Sequence, residues 1–327
     1  MLKNILVTGG AGYVGSALVL KLLNAGYKVI VLDLLIYGEK VLKPHKNLKL
    51  IKGDIRNRTL LEKILTNIDA VIHLACISND PSFELNKKLG QDINFNAFEP
   101  LVKTANKAGV KRFIYASSSS VYGVKSQKNV SEETSLEPLT DYSKYKAECE
   151  KVLFRYQNSD FTTAIIRPAT VCGYSPRQRL DLVVNILTNL AYHKRQITIF
   201  GGQQLRPNIH IDDMVDAYLL LLDCKENKIA GKIFNVGYEN HTVAELGEDV
   251  KSVVGEDVKL IFSKSNDNRS YHISSEKIKE ELGFVPKKNI RDAVKDLADA
   301  FKKQLLVDPL KNEIYFNIQR MKSLNLK

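Results

Sequence analysis

Tyr142 and Lys146 stand four residues apart in DYSKYKAECEKVLFRY, so on a helix they share one face. A phenol with an ordinary pKa of ~10 is a poor base at neutral pH. An ammonium beside it, together with a positively charged ring of a bound cofactor, favours the phenolate, and a drop of ~3 units asks for only ~4 kcal/mol of differential stabilisation. Such a phenolate can take a proton from an alcohol as hydride leaves its carbon. Tyr and Lys at this spacing also arise by chance, so the pair gains meaning only from its place in the chain. Shortly before it runs Ser117, Ser118, Ser119 and Ser120. A hydroxyl there can bridge a reacting oxygen, and a plain serine-rich turn would read the same way.

The elements that must position these groups begin at the N-terminus. Asn4 to Thr8 is an apolar run of strand type, and Val14, Ala17, Leu18 and Leu22 follow at helical spacing. Gly9, Gly12 and Gly15 lie in and just after the turn, where backbone without a Cβ lets peptide N–H groups and the positive end of a helix approach a phosphate. The next strand, KVIVLD, ends in Asp33, eighteen residues beyond Gly15. A carboxylate there accepts a hydrogen bond from an adenosine 2′-hydroxyl and repels a 2′-phosphate, so the pattern favours NAD over NADP. Strand and helix then alternate through LKLIKGD, a helix after Thr59, DAVIHLAC, a long helix from about Gly90, and KRFIYASSSS. This predicts an α/β fold of Rossmann type, a doubly wound parallel sheet, with ligand at the carboxyl ends of its strands. The serine run and the Tyr142 helix follow the fifth of these strands.

From Gly173 the pattern loosens into shorter elements, which predict a smaller α/β substrate-binding domain without a clean linker. The expected division gives 1–170 to the dinucleotide-binding domain, with a segment of about 207–237 returning to it. Residues 171–206 and 238–327 go to the smaller domain. Asp212 or Asp213, Thr242 and Ser274 or Ser275 are candidate helix N-caps, and a last helix should begin near Asn289.

Composition bounds the function classes. The 327 residues, 44% hydrophobic, suffice for a full core. No apolar run approaches the ~20 residues that cross a bilayer, and no signal-peptide pattern opens the chain, so the expected compartment is the cytoplasm, with no membrane partner. The net charge of +11 invites a nucleic-acid reading. The lysines are spread among Glu and Asp on helices, which describes a solvated surface instead. Cys76, Cys149, Cys172 and Cys224 are isolated and suggest neither a disulfide framework nor a metal site.

Taken together, TGGAGYVG, Asp33, GDI at 53–55, HLA at 73–75, SSSSVYG at 117–123, YSKYK and RPATV at 167–171 resemble the extended short-chain dehydrogenases, the NAD-dependent epimerase/dehydratase family acting on nucleotide sugars. The resemblance covers essentially the whole chain. It implies Tyr142 as base, Lys146 as the residue that holds the nicotinamide ribose and lowers the phenol pKa, and Ser118 at the reacting hydroxyl. For NAD it implies Gly9, Gly12, Tyr13 and Val14 at the pyrophosphate and Asp54 and Ile55 at adenine. Leu74 and Ala75 would line the cofactor, with Asn94 near the pyrophosphate and Pro168 beside nicotinamide. For a nucleotide diphosphate sugar it implies Arg206 and Arg269 at the diphosphate and Thr170 near the sugar, and bidentate guanidinium recognition suits that role. In the family the helices near Gly90 and Asp141 commonly form a dimer's four-helix bundle, which implies a homodimer.

Departures narrow the reaction. The family's 4,6-dehydratases and decarboxylases carry an acidic residue directly before VYG, where this chain has Ser119 and Ser120. The pattern most resembles the UDP-glucose 4-epimerase branch, with transient C4 oxidation and hydride return. Thr170 stands where 4-epimerases often place Asn, and SPRQRLDLVVN resembles a side branch with varied substrates, some of which are only oxidised or reduced. A nucleotide-sugar C4 dehydrogenase or ketoreductase is therefore the alternative, and a silent NAD-binding sensor or scaffold a third. Tyr271 aligns approximately with the residue gating the C2 substituent, and its bulk predicts exclusion of N-acetylated sugars.

Overall fold

The computed structural model describes residues 2–127, 129–264 and 270–326. Strands β1 (Asn4–Thr8), β2 (Lys28–Asp33), β3 (Leu48–Lys52), β4 (Ala70–His73), β5 (Arg112–Ala116) and β6 (Thr162–Pro168) come first. Then follow β7 (Thr170–Cys172), β8 (Gln196–Phe200), β9 (Leu205–His210), β10 (Lys232–Val236), β11 (Glu239–Thr242) and β12 (Lys259–Ser263). The first six and β10 form one parallel sheet in the order β10-β6-β5-β4-β1-β2-β3. The order reverses between β1 and β4, which opens a crevice at their carboxyl ends. This is the expected doubly wound α/β architecture.

The alternation of side chains along each strand explains why the sheet is covered on both faces. Ile5, Val7, Ile72, Ile114 and Ile166 pack into one apolar layer. Their neighbours Leu6, Val71, Phe113, Tyr115 and Ile165 point the other way into a second. The helix Tyr13–Asn24 packs on the first face, and the helix pair Phe98–Lys107 and Asp141–Phe154 on the second.

A smaller body holds its own core. The helices Val183–Lys194, Val243–Val254 and Ile290–Lys302 bury Val184, Leu187, Leu246, Val250 and Val294 against Ile197 and Ile199 of β8, which pairs with β12. β7, β9 and β11 form a three-stranded sheet beside it. The C-terminal helix Asn317–Leu324 departs from the expected division, because its Met321 is buried in the second layer of the large body.

Local chemistry fixes several boundaries. Thr242 and Asn289 cap their helices through reciprocal capping boxes with Glu245 and Asp292. The helix Ile211–Asp223 is capped by His210, whose Nδ1 accepts from the Asp212 backbone N–H at 3.1 Å. The expected caps Asp212 and Asp213 lie inside its first turn, where Asp213 accepts from the backbone N–H groups of Lys287 and Lys288. Ser275 occupies its N-cap position without capping through its side chain, its Oγ accepting instead from the Gly237 backbone N–H at 2.8 Å. The long helix expected from Gly90 is interrupted by a wide turn at Asp92–Asn96.

Candidate active site

The Asp141–Phe154 helix starts where Thr140 accepts from the Ser143 backbone N–H at 3.2 Å, with Asp141 in its first turn favouring the positive helix end. Tyr142, Lys146 and Glu150 recur every four residues, so one stripe of the helix carries all three. Glu150 is buried and holds Arg167 of β6 through two parallel bonds, Nε to Oε1 at 3.0 Å and Nη2 to Oε2 at 2.6 Å. Burial opposes the Arg167 charge, but the bonds to Glu150 outweigh it and raise its pKa. Ser117, just past β5, also donates to Glu150 Oε1. Lys146 Nζ donates to the Ala116 carbonyl at 2.7 Å and lies 5.8 Å from the Tyr142 ring centroid. The ends of β5 and β6 are thus locked to the helix that presents the phenol.

Tyr142 lines a cleft of about 640 Å³ that also holds Lys146 and Ser118. Burial pushes its pKa well above 10, the charges of Cys76 and Asp80 add to this, and Arg179 opposes it. The sequence expectation of a lowered phenol pKa is therefore not met by the protein's own groups. The low dielectric of the cleft wall outweighs the neighbouring cations. Ser118 Oγ accepts from the Ser120 backbone N–H at 3.1 Å and lies 2.8 Å from Ser120 Oγ. Hydroxyls continue through Ser143 and Thr140, and Thr140 donates to the Asp80 carboxylate. Below this, His73 at the end of β4 is buried with Nδ1 2.7 Å from Thr8 Oγ1. Burial, then the Lys146 charge, pushes its pKa down to about 3.

The opposite half of the cleft has the features a dinucleotide needs. The Tyr13–Asn24 helix begins at Gly12 with no side-chain cap and no acid in its first turn, so its leading N–H groups are open to an anion. A Cβ at Gly15 would lie 2.2 Å from the Gly9 carbonyl oxygen. At Gly9, where φ is +72°, it would lie 2.6 Å from the Ala75 nitrogen. Only glycine allows this closeness. Asp33 accepts from the backbone N–H groups of Ala11 and Leu35 through different oxygens, which fixes the carboxylate while leaving lone pairs for ribose hydroxyls. These residues fit NAD.

Gly9, Gly12, Tyr13, Val14, Asp33, Asp54, Ile55, Leu74, Ala75 and Pro168 all line this same cleft, and Thr170, Arg206 and Tyr271 line its other end. The Arg206 guanidinium stands 5.5 Å from the Tyr271 ring centroid. Asn94 is not among the residues that line the cleft. It sits in the wide turn at Asp92–Asn96, and its amide is bonded to both backbone groups of Ile77, Oδ1 accepting at 2.8 Å and Nδ2 donating at 3.0 Å. Ile93 lines the cleft in its stead, and Asn94 shapes the loop after β4. Arg269 lies outside the described residues.

Part of the wall comes from residues outside the motifs of the sequence. Arg177, Arg179 and Asp181 line the cleft together with Tyr37 and Asn317. Their signal was SPRQRLD, two arginines in a segment that Leu180 and Leu182 otherwise mark as buried. Asn317 comes from a terminal stretch that carries no motif.

A family model described as "NAD dependent epimerase/dehydratase family" matches residues 5–237. The UDP-glucose 4-epimerase of Lactobacillus helveticus is 30% identical over 312 residues, covering 89% of this chain and 94% of that protein. The solved UDP-glucose 4-epimerase of Thermotoga maritima with UDP-glucose superposes with a TM-score of 0.83 at 29% identity, covering 93% of this chain and 100% of that one. DesIV, a dTDP-glucose 4,6-dehydratase from Streptomyces venezuelae with NAD bound, superposes at 0.84 with 26% identity, covering 94% and 100%.

Proposed function

The chain belongs to the NAD-dependent epimerase/dehydratase family, and on that premise we propose that it is a nucleotide-sugar 4-epimerase. The observation that carries this reading is the side-chain set around Tyr142. A phenol, an ammonium and Ser118 share one cleft, while the two positions before Val121 carry only hydroxyls. Loss of water across C5 and C6 needs a carboxyl acid and base there, and Ser119 and Ser120 supply neither.

Bound NAD supplies an acceptor for the C4 hydrogen, which is later returned to the opposite face of the sugar. Tyr142 takes the proton of the C4 hydroxyl and gives it back at the end of the cycle. Ser118 Oγ holds the reacting oxygen, and Lys146 keeps a positive charge beside the phenol. Gly9, Gly12, Tyr13 and Val14 take the pyrophosphate, Asp33 the adenosine ribose, and Asp54 and Ile55 the adenine. Leu74, Ala75 and Pro168 wall the nicotinamide side. Arg206 takes the diphosphate of the sugar nucleotide, with Thr170 near the sugar and Tyr271 limiting the C2 substituent. We assign the dinucleotide to the large body and the sugar nucleotide to the smaller one.

Thr170, in place of the Asn common in 4-epimerases, favours a second reading, a C4 dehydrogenase or ketoreductase that releases its keto product. Incubation with UDP-hexoses, following epimer ratio and nicotinamide absorbance together, separates the two. Epimer formation with no net rise in NADH supports the first, and stoichiometric NADH with a keto sugar overturns it. A cytoplasmic homodimer through the Phe98–Lys107 and Asp141–Phe154 helices belongs to the same proposal. Lys103, Lys144, Glu148 and Lys151 are exposed there, so ion pairs would contribute to the interface, and sedimentation at low and high salt tests it.

A further inference from the structure

Arg177 and Arg179 are 4% and 8% exposed and line the same cleft. A guanidinium has five N–H donors, and removing it from water is costly unless they are matched. Arg177 makes one side-chain hydrogen bond among the described residues, Nη2 to Asn317 Oδ1 at 2.7 Å, and its face stacks 3.6 Å from the Tyr37 ring centroid. Arg179 makes two, Nε to Asp181 Oδ1 at 2.6 Å and Nη1 to Ser78 Oγ at 3.1 Å. Arg177 Nε and Arg179 Nη2 are buried with no partner. Burial pulls the Arg177 pKa down to about 10, and the positive charge of Arg179 pulls the same way. Of these two buried cations only Arg179 pairs with a carboxylate, Asp181, among the described residues. This arrangement is poor as a structural device and suited to a doubly charged anion.

Their place in the fold says which anion. The Arg177 backbone N–H donates to Ser16 Oγ at 3.1 Å, and Ser175 Oγ donates to the Tyr13 carbonyl at 2.7 Å. The segment therefore lies across the first turn of the glycine-loop helix. Arg177 stacks on Tyr37 in the loop after β2, and Arg179 reaches Ser78 in the loop after β4. Those loops flank the carboxyl end of β1, where the glycine turn presents its N–H groups and where the dinucleotide's diphosphate would lie. We propose that Arg177 and Arg179 form a two-arginine clamp on the NAD diphosphate, closing on it from the side opposite the glycine loop. The C-terminal helix holds the clamp in place. Asn317 Nδ2 donates to Ser78 Oγ at 3.0 Å, its backbone N–H donates to Asp181 Oδ2 at 2.9 Å, and Arg320 Nε donates to the Ile36 carbonyl at 2.6 Å. The terminal stretch NIQRMKSLNLK, without a motif of its own, thereby acquires a role in retaining the cofactor.

The clamp rests on the dinucleotide occupying this cleft as proposed above. Calorimetric titration of cofactor-stripped protein with NAD, ADP-ribose, adenosine and UDP tests it in wild type, Arg177→Met, Arg177→Lys, Arg179→Met and Asn317→Ala. Each Met variant is expected to weaken NAD and ADP-ribose by about 10- to 100-fold, since hydrogen bonds to charged groups carry that range. Adenosine and UDP affinities should stay within about threefold of wild type, and Arg177→Lys should recover part of the loss. Stripped Arg177→Met protein should unfold at or above the wild-type temperature, because a buried charge without a carboxylate partner has been removed, whereas stripped Arg179→Met protein should unfold lower, because Asp181 loses its partner. If a Met variant fails to fold, Arg177→Lys and Asn317→Ala must still weaken ADP-ribose more than adenosine, or the clamp is wrong. Unchanged NAD affinity in the Met variants overturns it, as does a loss confined to UDP. Wild type that binds no NAD refutes the dinucleotide reading itself, and the clamp with it.

Discussion

Glu150→Gln removes one charge from the pair that joins the Tyr142 helix to β6. Both partners are nearly inaccessible, at 3% and 4%, and their two parallel bonds mean that Arg167 has no other carboxylate contact among the described residues. Arg167 Nη1 keeps the Tyr122 hydroxyl at 2.8 Å and the Glu132 carbonyl at 3.4 Å, neither of which carries negative charge at neutral pH. Leaving such a guanidinium buried without a counter-charge costs about 3–5 kcal/mol. That is a large part of a typical total stability of about 5–15 kcal/mol. Urea unfolding should show a lower midpoint with an unchanged slope, and the melting temperature should fall by about 5–10 °C. The double variant Glu150→Leu with Arg167→Met should recover to within about 2 kcal/mol of wild type, because no charge is left unpaired. Its turnover should stay depressed, by about tenfold or more, since Ser117 loses its acceptor and the stripe carrying Tyr142 and Lys146 loses its anchor. A Glu150→Gln protein within about 0.5 kcal/mol of wild type would refute the claim that this pair locks the site.

Four further outcomes are expected. Tyr142→Phe should lower turnover by about 100- to 10,000-fold while NAD affinity changes little, as measured by steady-state rates and titration. Because burial holds the phenol pKa high and the phenolate is the working form, the rate should climb with pH on its acid limb. Arg179→Met, which removes an opposing charge, should move that limb to higher pH. His73 stays neutral in the fold down to about pH 3, while the unfolded chain protonates it near ~6.5, so the unfolded state binds more protons between those values and stability falls as pH drops through that window. The slope is about 1.4 kcal/mol per pH unit, and urea midpoints of His73→Asn should lack it. Gly15→Ala puts a methyl against the Gly9 carbonyl, and should destabilise by about 1–3 kcal/mol and weaken NAD at least in proportion, read by melting and titration of the stripped protein.

Local rules made the large sheet legible. The glycine spacing, Asp33 and the alternation of strand and helix each state a backbone requirement in a few consecutive residues, and the structure brings their products to one crevice. The Tyr142–Lys146 spacing was equally local. What the sequence could not convey were relations across the fold. Asn94 matched a motif position, yet its amide is taken by Ile77, seventeen residues away, because the helix widens by one turn there. The phenol pKa depends on burial by groups from several loops, which neighbouring letters do not encode. Arg177 and Asn317 meet over 140 positions of chain, and nothing in either stretch points to the other. His210, the last residue of β9, caps the helix in place of the two aspartates because the strand runs directly into the helix and leaves them inside its first turn.

The proposed reaction has Tyr142 deprotonate a C4 hydroxyl while the C4 hydrogen leaves and returns within the cleft. It is tested most directly with UDP-sugars carrying deuterium at C4, the product epimers being analysed by mass and by proton resonance. The epimer formed by wild type should keep its deuterium at C4, and Tyr142→Phe should form none. Exchange of that deuterium for solvent hydrogen, or an equal rate from Tyr142→Phe, would contradict it.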